Sequence, residues 1–261
     1  MTTEARGPGR PHPLVIAHRG DSAHRPENTL ASFASALELG AGIVELDVQL
    51  TRGGHVVVLH DPTVDRTTNG RGDVRRMDLA DVRALSAGYP DRFGDTWRGE
   101  RVPTLAEALA LVQGRGRVMI EIKKDSVTDD DEGGVEALTV AEVRRMGAAD
   151  QVALISFEHR ALLRCRQLAP EITRGHLFGR TTAEEVLVSA RDAGCGIVMP
   201  HKSQLGPKLA DTVHGAGLKL ATWVVDEPEE LKRLAPFGLF GVGSNRPGVL
   251  MQALADGLLD D

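Results

Sequence analysis

The sequence has few of the features that cross-link a chain or insert it into a membrane. Only two cysteines occur among 261 residues, Cys165 and Cys195, and neither belongs to a CxxC pair. A disulfide framework and a thiolate zinc site are therefore not expected. No run of eighteen apolar residues occurs, and the N-terminal stretch lacks the apolar segment of a signal peptide. These absences predict a cytoplasmic protein without stable membrane insertion.

Basic charge and aromatic rings are also scarce. The 31 lysines and arginines are outnumbered by 37 aspartates and glutamates, which gives a formal charge of -6. Non-specific nucleic-acid binding needs a basic face, so no nucleic-acid partner is expected. Aromatic residues make up 3% of the chain, and no basic amphipathic helix is present. The sequence therefore offers little of the apolar rim with which proteins dock on a lipid surface.

Several common catalytic and nucleotide-binding motifs are missing. There is no GxSxG nucleophile elbow, no P-loop, no Rossmann glycine pattern and no HExxH zinc motif. The run GVGSNRPG at residues 241–248 comes closest to a glycine motif, but its spacing does not match GxGxxG. We interpret Asn245 in this run as a helix cap, with contact to a phosphate at the helix N-terminus as the alternative.

What the sequence does contain is a regular alternation of short apolar strands and amphipathic helices. Seven predicted strands cover 14–17, 118–122, 152–156, 174–178, 197–199, 218–223 and 240–243, and an eighth begins at residue 43. Seven predicted helices cover 28–39, 135–146, 160–168, 183–193, 205–214, 228–234 and 247–255, and an eighth begins at residue 104. A further short helix is predicted at 79–85, and an antiparallel return strand at 56–59.

This alternation predicts the fold class. Eight strands and eight helices alternate when the return strand and the short helix are set aside. That pattern is typical of an α/β protein of the (β/α)8 or TIM-barrel type, for which about 250 residues is usual. We expect a single barrel domain over residues 1–261, with an insertion from about 61 to 103 after the second barrel strand.

A predicted hairpin at residues 43–61 carries polar side chains where a buried strand would carry aliphatic ones. Glu45 and Asp47 lie two residues apart, so they face the same side of the sheet. If residues 53 and 54 form the turn, counting back from it sets Asp47 opposite His60. Two carboxylates and an imidazole are therefore expected to lie within a few ångströms of one another.

Other polar residues end the neighbouring predicted strands, and in a barrel the C-terminal ends of the strands hold the active site. His18 and Arg19 end the first strand, and Glu121 and Lys123 end the third. Trp223 ends the seventh strand, where it either lines a pocket or packs in the core. Six ionisable groups at one barrel mouth are difficult to explain by packing alone.

The three carboxylates in this set predict a cation site. Two like charges 4 Å apart repel by roughly 4 kcal/mol at an effective dielectric of about 20. Glu45, Asp47 and Glu121 would therefore take up protons or hold a cation. Because the ligands are oxygens, Mg²⁺ or Ca²⁺ fits best, and Mn²⁺ is a further candidate. The alternatives are zinc with a histidine ligand, and a salt-bridge network with Arg19 and Lys123.

The remaining residues favour a phosphate-containing substrate. Arg19 and Lys123 at the same rim as a hard cation can bind phosphoryl oxygens. His18 and His60 near one phosphate can act as general acid and general base.

The ordered set of motifs resembles the glycerophosphodiester phosphodiesterase family over residues 14 to about 246. The motifs are His18-Arg19-Gly20, Pro26-Glu27-Asn28-Thr29, Glu45-Leu46-Asp47-Val48, His60-Asp61, Pro103-Thr104-Leu105, Glu121-Ile122-Lys123, Ser156-Phe157 and Trp223. The resemblance implies a TIM barrel and divalent-cation-dependent hydrolysis of small glycerophosphodiesters to glycerol 3-phosphate and an alcohol.

The resemblance also implies roles for individual residues. Glu45, Asp47 and Glu121 would be metal ligands, and His18 and His60 the acid/base pair. Arg19 and Lys123 would hold the phosphate. Trp223 is expected to contact the substrate because of its place at a strand end, with core packing as the alternative. The expected route is attack of the substrate's own 2-hydroxyl on phosphorus, which gives a cyclic phosphate that water opens. A lysophospholipase D-like enzyme and a non-catalytic phospho-ligand binding barrel remain alternatives.

Overall fold

The computed structural model describes residues 12–128, 130 and 132–260. The prediction that the N-terminal stretch carries no signal peptide falls mainly on residues 1–11, which lie outside the described residues. Within the described ranges, no helix is long and apolar enough to cross a membrane.

The described chain forms nine strands, and eight of them close into a parallel ring. The strands are β1 (Leu14–His18), β2 (Ile43–Leu50), β3 (Val56–Val58), β4 (Arg117–Ile122), β5 (Val152–Ser156), β6 (Thr173–Phe178), β7 (Ile197–Pro200), β8 (Lys219–Thr222) and β9 (Gly241–Ser244). The order around the ring is β1-β2-β4-β5-β6-β7-β8-β9, and β9 pairs back with β1. The predicted (β/α)8 barrel is confirmed.

Ten α-helices lie in the described part of the chain, eight of them following barrel strands. They are α1 (Leu30–Glu38), α2 (Leu79–Ala84), α3 (Pro90–Phe93), α4 (Leu105–Val112), α5 (Val135–Arg145), α6 (His159–Leu168), α7 (Ala183–Asp192), α8 (Pro207–Gly215), α9 (Pro228–Leu234) and α10 (Pro247–Ala255). Only α3 was not predicted, because four residues are too few to show a helical period.

The helix α1 begins later than the sequence suggested. Thr29 is its N-cap, and its side chain accepts a hydrogen bond from Ser32 N–H in a capping box. Asn28 was predicted to be helical, but it has φ 57, in the left-handed region that asparagine tolerates. Its side chain is then free to leave the helix and reach Asp47.

The barrel interior is apolar at its lower end and polar at its mouth. The inward-facing apolar cluster is Ile16, Ile43, Met119, Ala153, Ile155, Leu177, Ile197, Met199 and Ala221. Since side chains alternate along a strand, Ile43 fixes the inward face of β2, and Glu45 and Asp47 follow on that same face. On β6 the inward-facing residue before Leu177 is Gly175, where a Cβ would lie 2.9 Å from Ile155 Cγ2.

The hairpin between β2 and β3 has a register that differs by one residue from the prediction. Val48 pairs with Val58, and Leu59 N–H donates to Asp47 O over 3.0 Å. Asp47 therefore lies opposite Leu59, and the predicted pairing with His60 is wrong. The turn has three residues, closed by Thr51 N–H donating to His55 O, and includes Gly54 at φ 74.

Residues 61–103 contain α2, α3 and a 3-10 turn at Val74–Arg76. They share an apolar cluster with β3, formed by Val57, Leu59, Val64, Val74, Val82, Ala87 and Val102. The organisation as one domain with an insertion stays a prediction.

His176 on β6 generates a testable prediction about acid stability. Burial, with His159 adding to it, lowers the pKa of His176 from 6.5 to about 4. The unfolded chain therefore takes up this proton first, and the stability present above pH 6.5 is lost as the pH falls towards 4. We expect His176→Phe to reduce the loss of unfolding free energy between pH 7 and pH 5 by about 1 kcal/mol. Urea unfolding of wild type and variant at both pH values measures this difference in unfolding free energy.

The matched control is His55→Phe, because His55 is exposed. An equal pH dependence in wild type and in His176→Phe would contradict the assignment of the acid-sensitive group.

Candidate active site

Three buried carboxylates meet at the barrel mouth. Glu45 and Asp47 come from the middle of β2, and Glu121 from near the end of β4, where it is the parallel partner of Asp47. One oxygen from each of the three side chains lies within 4.8 Å of the others. The three residues are between 0% and 7% exposed, so bulk water does little to screen their repulsion.

Two cations and an amide partly compensate this negative charge. Arg19 Nε lies 3.3 Å from Asp47 Oδ2, and Lys123 Nζ lies 2.8 Å from Glu121 Oε1 and 3.4 Å from Asp47 Oδ1. Asn28 Nδ2 donates to Asp47 Oδ2 over 2.8 Å. Both predicted phosphate-binding cations are therefore already paired with the carboxylates, as the salt-bridge alternative required.

The compensation is uneven, and the pKa values differ accordingly. Burial, with Asp47 and Glu121 adding to it, raises the pKa of Glu45 well above its usual range. Burial and Asp47 raise the pKa of Glu121 to about 7. For Asp47 burial acts in the opposite direction, but Arg19 and Lys123 outweigh it and hold the pKa at about 2. Asp47 is thus the stabilised anion of the three, while ionisation of Glu45 and Glu121 is disfavoured.

The triad fits a hard cation. Glu45 Oε1 and Asp47 Oδ1 are buried without a hydrogen-bond partner. Buried carboxylate oxygens are normally paired; Lys123 Nζ lies 3.4 Å from Asp47 Oδ1, but Glu45 Oε1 has no such contact, which indicates a missing positive partner. A donor set made only of carboxylate oxygens matches Mg²⁺, Ca²⁺ or Mn²⁺.

His18 ends β1 beside the triad, and its ring is held by Asn245. His18 Nδ1 lies 2.7 Å from Asn245 Oδ1. Because an amide oxygen only accepts hydrogen bonds, Nδ1 carries the proton and Nε2 is the nitrogen with the lone pair. Burial and the nearby Arg19 lower the pKa of His18, which favours its neutral form.

Asn245 is not the helix cap that the sequence suggested. The N-cap residue of α10 is Arg246, and no side chain caps that helix. The Asn245 side chain instead contacts His18 and, over 2.9 Å, Asp226 Oδ2.

His60 reaches the cavity because the chain has already left the strand. The strand β3 ends at Val58, so strand alternation no longer decides which way His60 points. Gln49, two residues beyond Asp47 on β2, donates from Nε2 to His60 O over 3.2 Å. The ring Nδ1 lies 2.5 Å from Asp61 Oδ1, which again leaves Nε2 for the cavity.

Arg66 connects the two halves of this polar site. Its guanidinium donates to both Glu27 oxygens, each over 2.8 Å, and to Asp61 Oδ2 over 2.7 Å. Glu27 in turn accepts from Arg19 Nη1 over 2.9 Å. One side chain from residues 61–103 therefore orients both the partner of His60 and the partner of Arg19.

The site surrounds a cavity of about 170 Å³ that has a charged side and an apolar side. The charged side comprises His18, Arg19, Glu45, His60, Glu121 and Lys123. The apolar side comprises Ile155, Phe157, Leu177, Met199, Trp223 and Val224. Trp223 lies in the cavity wall, and its indole N–H donates to Met199 O over 3.1 Å. That N–H is therefore already used, and the rings of Phe157 and His201 pack edge-to-face against the indole.

Sequence reasoning found the charged side and missed most of its supporting residues. Glu27, Asn28 and Asp61 lie in motifs that carried the resemblance, but no role was assigned to them. Arg66 and Asp226 gave no signal at all, since a single arginine or aspartate in a loop is ordinary.

The fold and the site together define a (β/α)8-barrel enzyme whose centre is acidic and is flanked by two histidines. The chain matches the profile of the glycerophosphoryl diester phosphodiesterase family over residues 18–249, and it belongs to that family. The family and the enzyme class predicted from the sequence, a phosphoric diester hydrolase, are confirmed.

Related proteins agree with this assignment. The chain is 38% identical to a glycerophosphodiester phosphodiesterase of Caldanaerobacter subterraneus subsp. tengcongensis, covering 94% of this chain and 98% of the relative. It is 34% identical to a probable glycerophosphodiester phosphodiesterase 1 of Mycobacterium tuberculosis, covering 94% of each.

Solved structures show the same fold. A phosphodiesterase of Oleispira antarctica, in complex with the product sn-glycerol-3-phosphate, superposes with a TM-score of 0.86 at 29% identity, covering 94% of this chain and 97% of that one. A putative glycerophosphoryl diester phosphodiesterase of Silicibacter pomeroyi also gives 0.86, at 30% identity, covering 96% and 95%.

Because the negative charges of Glu45 and Asp47 are compensated to different degrees, removing one or the other should change the unfolding free energy in opposite directions. In chelated protein at pH 7, Glu45→Gln removes a poorly compensated carboxylate and should raise the unfolding free energy by about 1 kcal/mol. Asp47→Asn removes the partner of Arg19 and Lys123 and should lower it by about 2 kcal/mol. Denaturant titration measures both, each variant serving as the other's control. Changes of the same sign would show that the charge distribution is wrong.

Proposed function

We propose that this protein hydrolyses small glycerophosphodiesters to glycerol 3-phosphate and an alcohol, with a divalent cation bound by Glu45, Asp47 and Glu121. The observation that carries the proposal is the triad itself, two of whose members, Glu45 and Glu121, line the same cavity as two histidines. Support comes from the relative that was crystallised with sn-glycerol-3-phosphate.

The cation would be Mg²⁺, Ca²⁺ or Mn²⁺. When bound, such an ion neutralises the triad and polarises phosphoryl oxygens. A zinc site with a histidine ligand is less well supported, because neither His18 nor His60 joins the three carboxylates in the cluster found among the described residues. A salt-bridge network alone is also less well supported, since with Arg19 and Lys123 in place the pKa values of Glu45 and Glu121 stay raised.

Arg19 and Lys123 would bind the phosphate. Both line the cavity, and both are held in place by ion pairs, Arg19 with Glu27 and Lys123 with Glu121. Their orientation is therefore fixed before substrate arrives, which reduces the free-energy cost of binding. Trp223 and its neighbours on the apolar side would contact the carbon skeleton of the substrate.

The partners of the two histidines suggest which is the base and which is the acid. His18 is bonded to the neutral amide of Asn245, so its neutral form is favoured, and Nε2 can take the proton of the substrate's 2-hydroxyl. His60 is bonded to the Asp61 carboxylate, which compensates a positive imidazolium. We therefore assign His18 as base and His60 as acid.

The reaction then proceeds in two steps. The 2-hydroxyl oxygen bonds to phosphorus while the bond from phosphorus to the leaving alcohol breaks, and the alcohol oxygen takes a proton from His60. Water next opens the cyclic phosphate, with the two histidines exchanging roles. The sum is one diester and one water giving glycerol 3-phosphate and one alcohol, and the histidines return to their starting states.

The histidine assignment predicts a loss of catalysis without a loss of cation binding. We expect His18→Asn and His60→Asn to reduce kcat by about 10²- to 10⁴-fold, because each removes a proton-transfer group. The cation-induced rise in Tm should remain. Release of glycerol 3-phosphate from glycerophosphocholine, glycerophosphoethanolamine, glycerophosphoinositol and a lysophospholipid, each with Mg²⁺, Mn²⁺ and Ca²⁺, measures activity and substrate class.

The control is His24→Asn, because His24 is about half exposed and does not line the cavity. Full activity after complete chelation would refute the cation. Turnover of the lysophospholipid alone would favour the lipid-directed alternative, and a substrate bound intact for hours with cation would favour the binding barrel.

The use of the substrate's own hydroxyl predicts a cyclic intermediate. We expect ³¹P NMR of a reaction at high enzyme concentration to show a transient five-membered cyclic phosphate before glycerol 3-phosphate accumulates. An analogue that lacks the 2-hydroxyl should not be hydrolysed, because it has no internal nucleophile. Hydrolysis of this analogue at a rate similar to that of the normal substrate would require attack by water instead.

A further inference from the structure

The ends of β8 and β9 carry a chain of hydrogen bonds that leads from Asp226 to His18. Asn245 Nδ2 donates to Asp226 Oδ2 over 2.9 Å, and Asn245 Oδ1 lies 2.7 Å from His18 Nδ1. Asp226 is itself held through its other oxygen, Oδ1, which accepts from Asn245 N–H over 2.7 Å and from Ser244 Oγ over 3.0 Å. The direction of each bond in the chain can be worked out from these partners.

The carboxylate sets the direction. Asp226 only accepts hydrogen bonds, so the amide group that faces it must be Asn245 Nδ2, and the amide oxygen must face His18. The opposite amide orientation would bring two acceptors to within 2.9 Å of each other and leave an N–H pointing at the ring. Ser22 Oγ, 3.1 Å from Asn245 Oδ1 and 2.8 Å from His18 O, finds acceptors in this arrangement.

We propose that Asp226 is a positioning residue, which fixes through Asn245 the tautomer of His18 with the proton on Nδ1. Nε2 then presents its lone pair to the cavity. The inference rests on the proposed function, in which His18 is the base. A base must accept a proton at the nitrogen that faces the substrate, and the other tautomer would present an N–H there instead.

The distance of Asp226 from the chemistry makes this role separable from catalysis. Asp226 neither lines the cavity nor belongs to the carboxylate triad. Its influence on His18 passes through one amide group, so exchanging carboxylate and amide along the chain should reverse and then restore the tautomer.

The single substitution Asp226→Asn should reverse the tautomer of His18. The oxygen of the new side chain can keep the bonds from Asn245 N–H and Ser244 Oγ, which leaves its amide N–H₂ facing Asn245. The Asn245 amide then turns to present its oxygen to position 226 and its N–H₂ to His18. His18 Nδ1 becomes an acceptor, and the proton moves to Nε2.

The double substitution Asp226→Asn with Asn245→Asp should restore the His18 tautomer that carries the proton on Nδ1. The amide at position 226 then donates to the carboxylate at position 245, whose second oxygen accepts from His18 Nδ1–H. The double variant keeps the same atoms in nearly the same places and the same net charge as the wild type. A purely structural role for Asp226 would not produce this pattern.

The experiment measures the tautomer directly and catalysis separately. Long-range ¹H–¹⁵N correlation spectra of the histidine rings report which nitrogen carries the proton, and His18→Asn identifies the His18 signals. We expect Nδ1–H in wild type, Nε2–H in Asp226→Asn and Nδ1–H again in the double variant. We expect kcat to fall about 10- to 100-fold in Asp226→Asn, with KM little changed, and to recover in the double variant.

The matched control is Glu227→Gln, which removes the adjacent carboxylate. Glu227 Oε1 accepts from Arg246 Nη1 over 2.6 Å at the exposed surface, so neither tautomer nor kcat should change. Wild-type His18 protonated on Nε2, or an Asp226→Asn variant with an unchanged tautomer, would overturn the inference even if the protein is active. The expected tautomers in a protein without phosphodiesterase activity would support it and reject the proposed function.

Discussion

The mutual repulsion of Glu45, Asp47 and Glu121 is the constraint on which the rest of the site depends. Their oxygens lie within 4.8 Å of one another in a buried space. The barrel creates this repulsion by pairing Asp47 with Glu121 on adjacent parallel strands. Arg19 and Lys123 reduce the repulsion without removing it. One more positive charge at the three carboxylates would therefore stabilise the folded chain. Under the proposed function, binding of a cation there would favour binding of an anionic phosphate ester.

The two histidines differ in the support they receive. His18 is held by an amide and His60 by a carboxylate, yet both rings use Nδ1 for that contact and turn Nε2 to the cavity. Arg66 adds a second connection, because it holds Glu27 and Asp61 at the same time. The geometry of His18, His60 and Arg19 is consequently fixed by residues that do not line the cavity.

The barrel could be predicted because each strand and helix can be recognised from its own local sequence, by its apolar period and its glycine, proline and capping residues. The carboxylate cluster could also be predicted, since the spacing of Glu45 and Asp47 puts both on one face. The hairpin register was not, because a turn of two residues and one of three are equally consistent with a Gly-Gly pair. Contacts such as Arg66 with Glu27, or His18 with Asn245, join loops 39 and 227 residues apart and follow only from the closed barrel.

The central claim is that one cation and one phosphate share the cavity between the triad and the two Nε2 atoms. Crystals grown with Mn²⁺ and glycerol 3-phosphate test it most directly, through the anomalous signal of manganese. The account predicts one strong peak within bonding distance of Glu45, Asp47 and Glu121, with the phosphate between that peak and His18 and His60. A fully loaded crystal with its manganese elsewhere, or with the triad bridged only by Arg19 and Lys123, would contradict it.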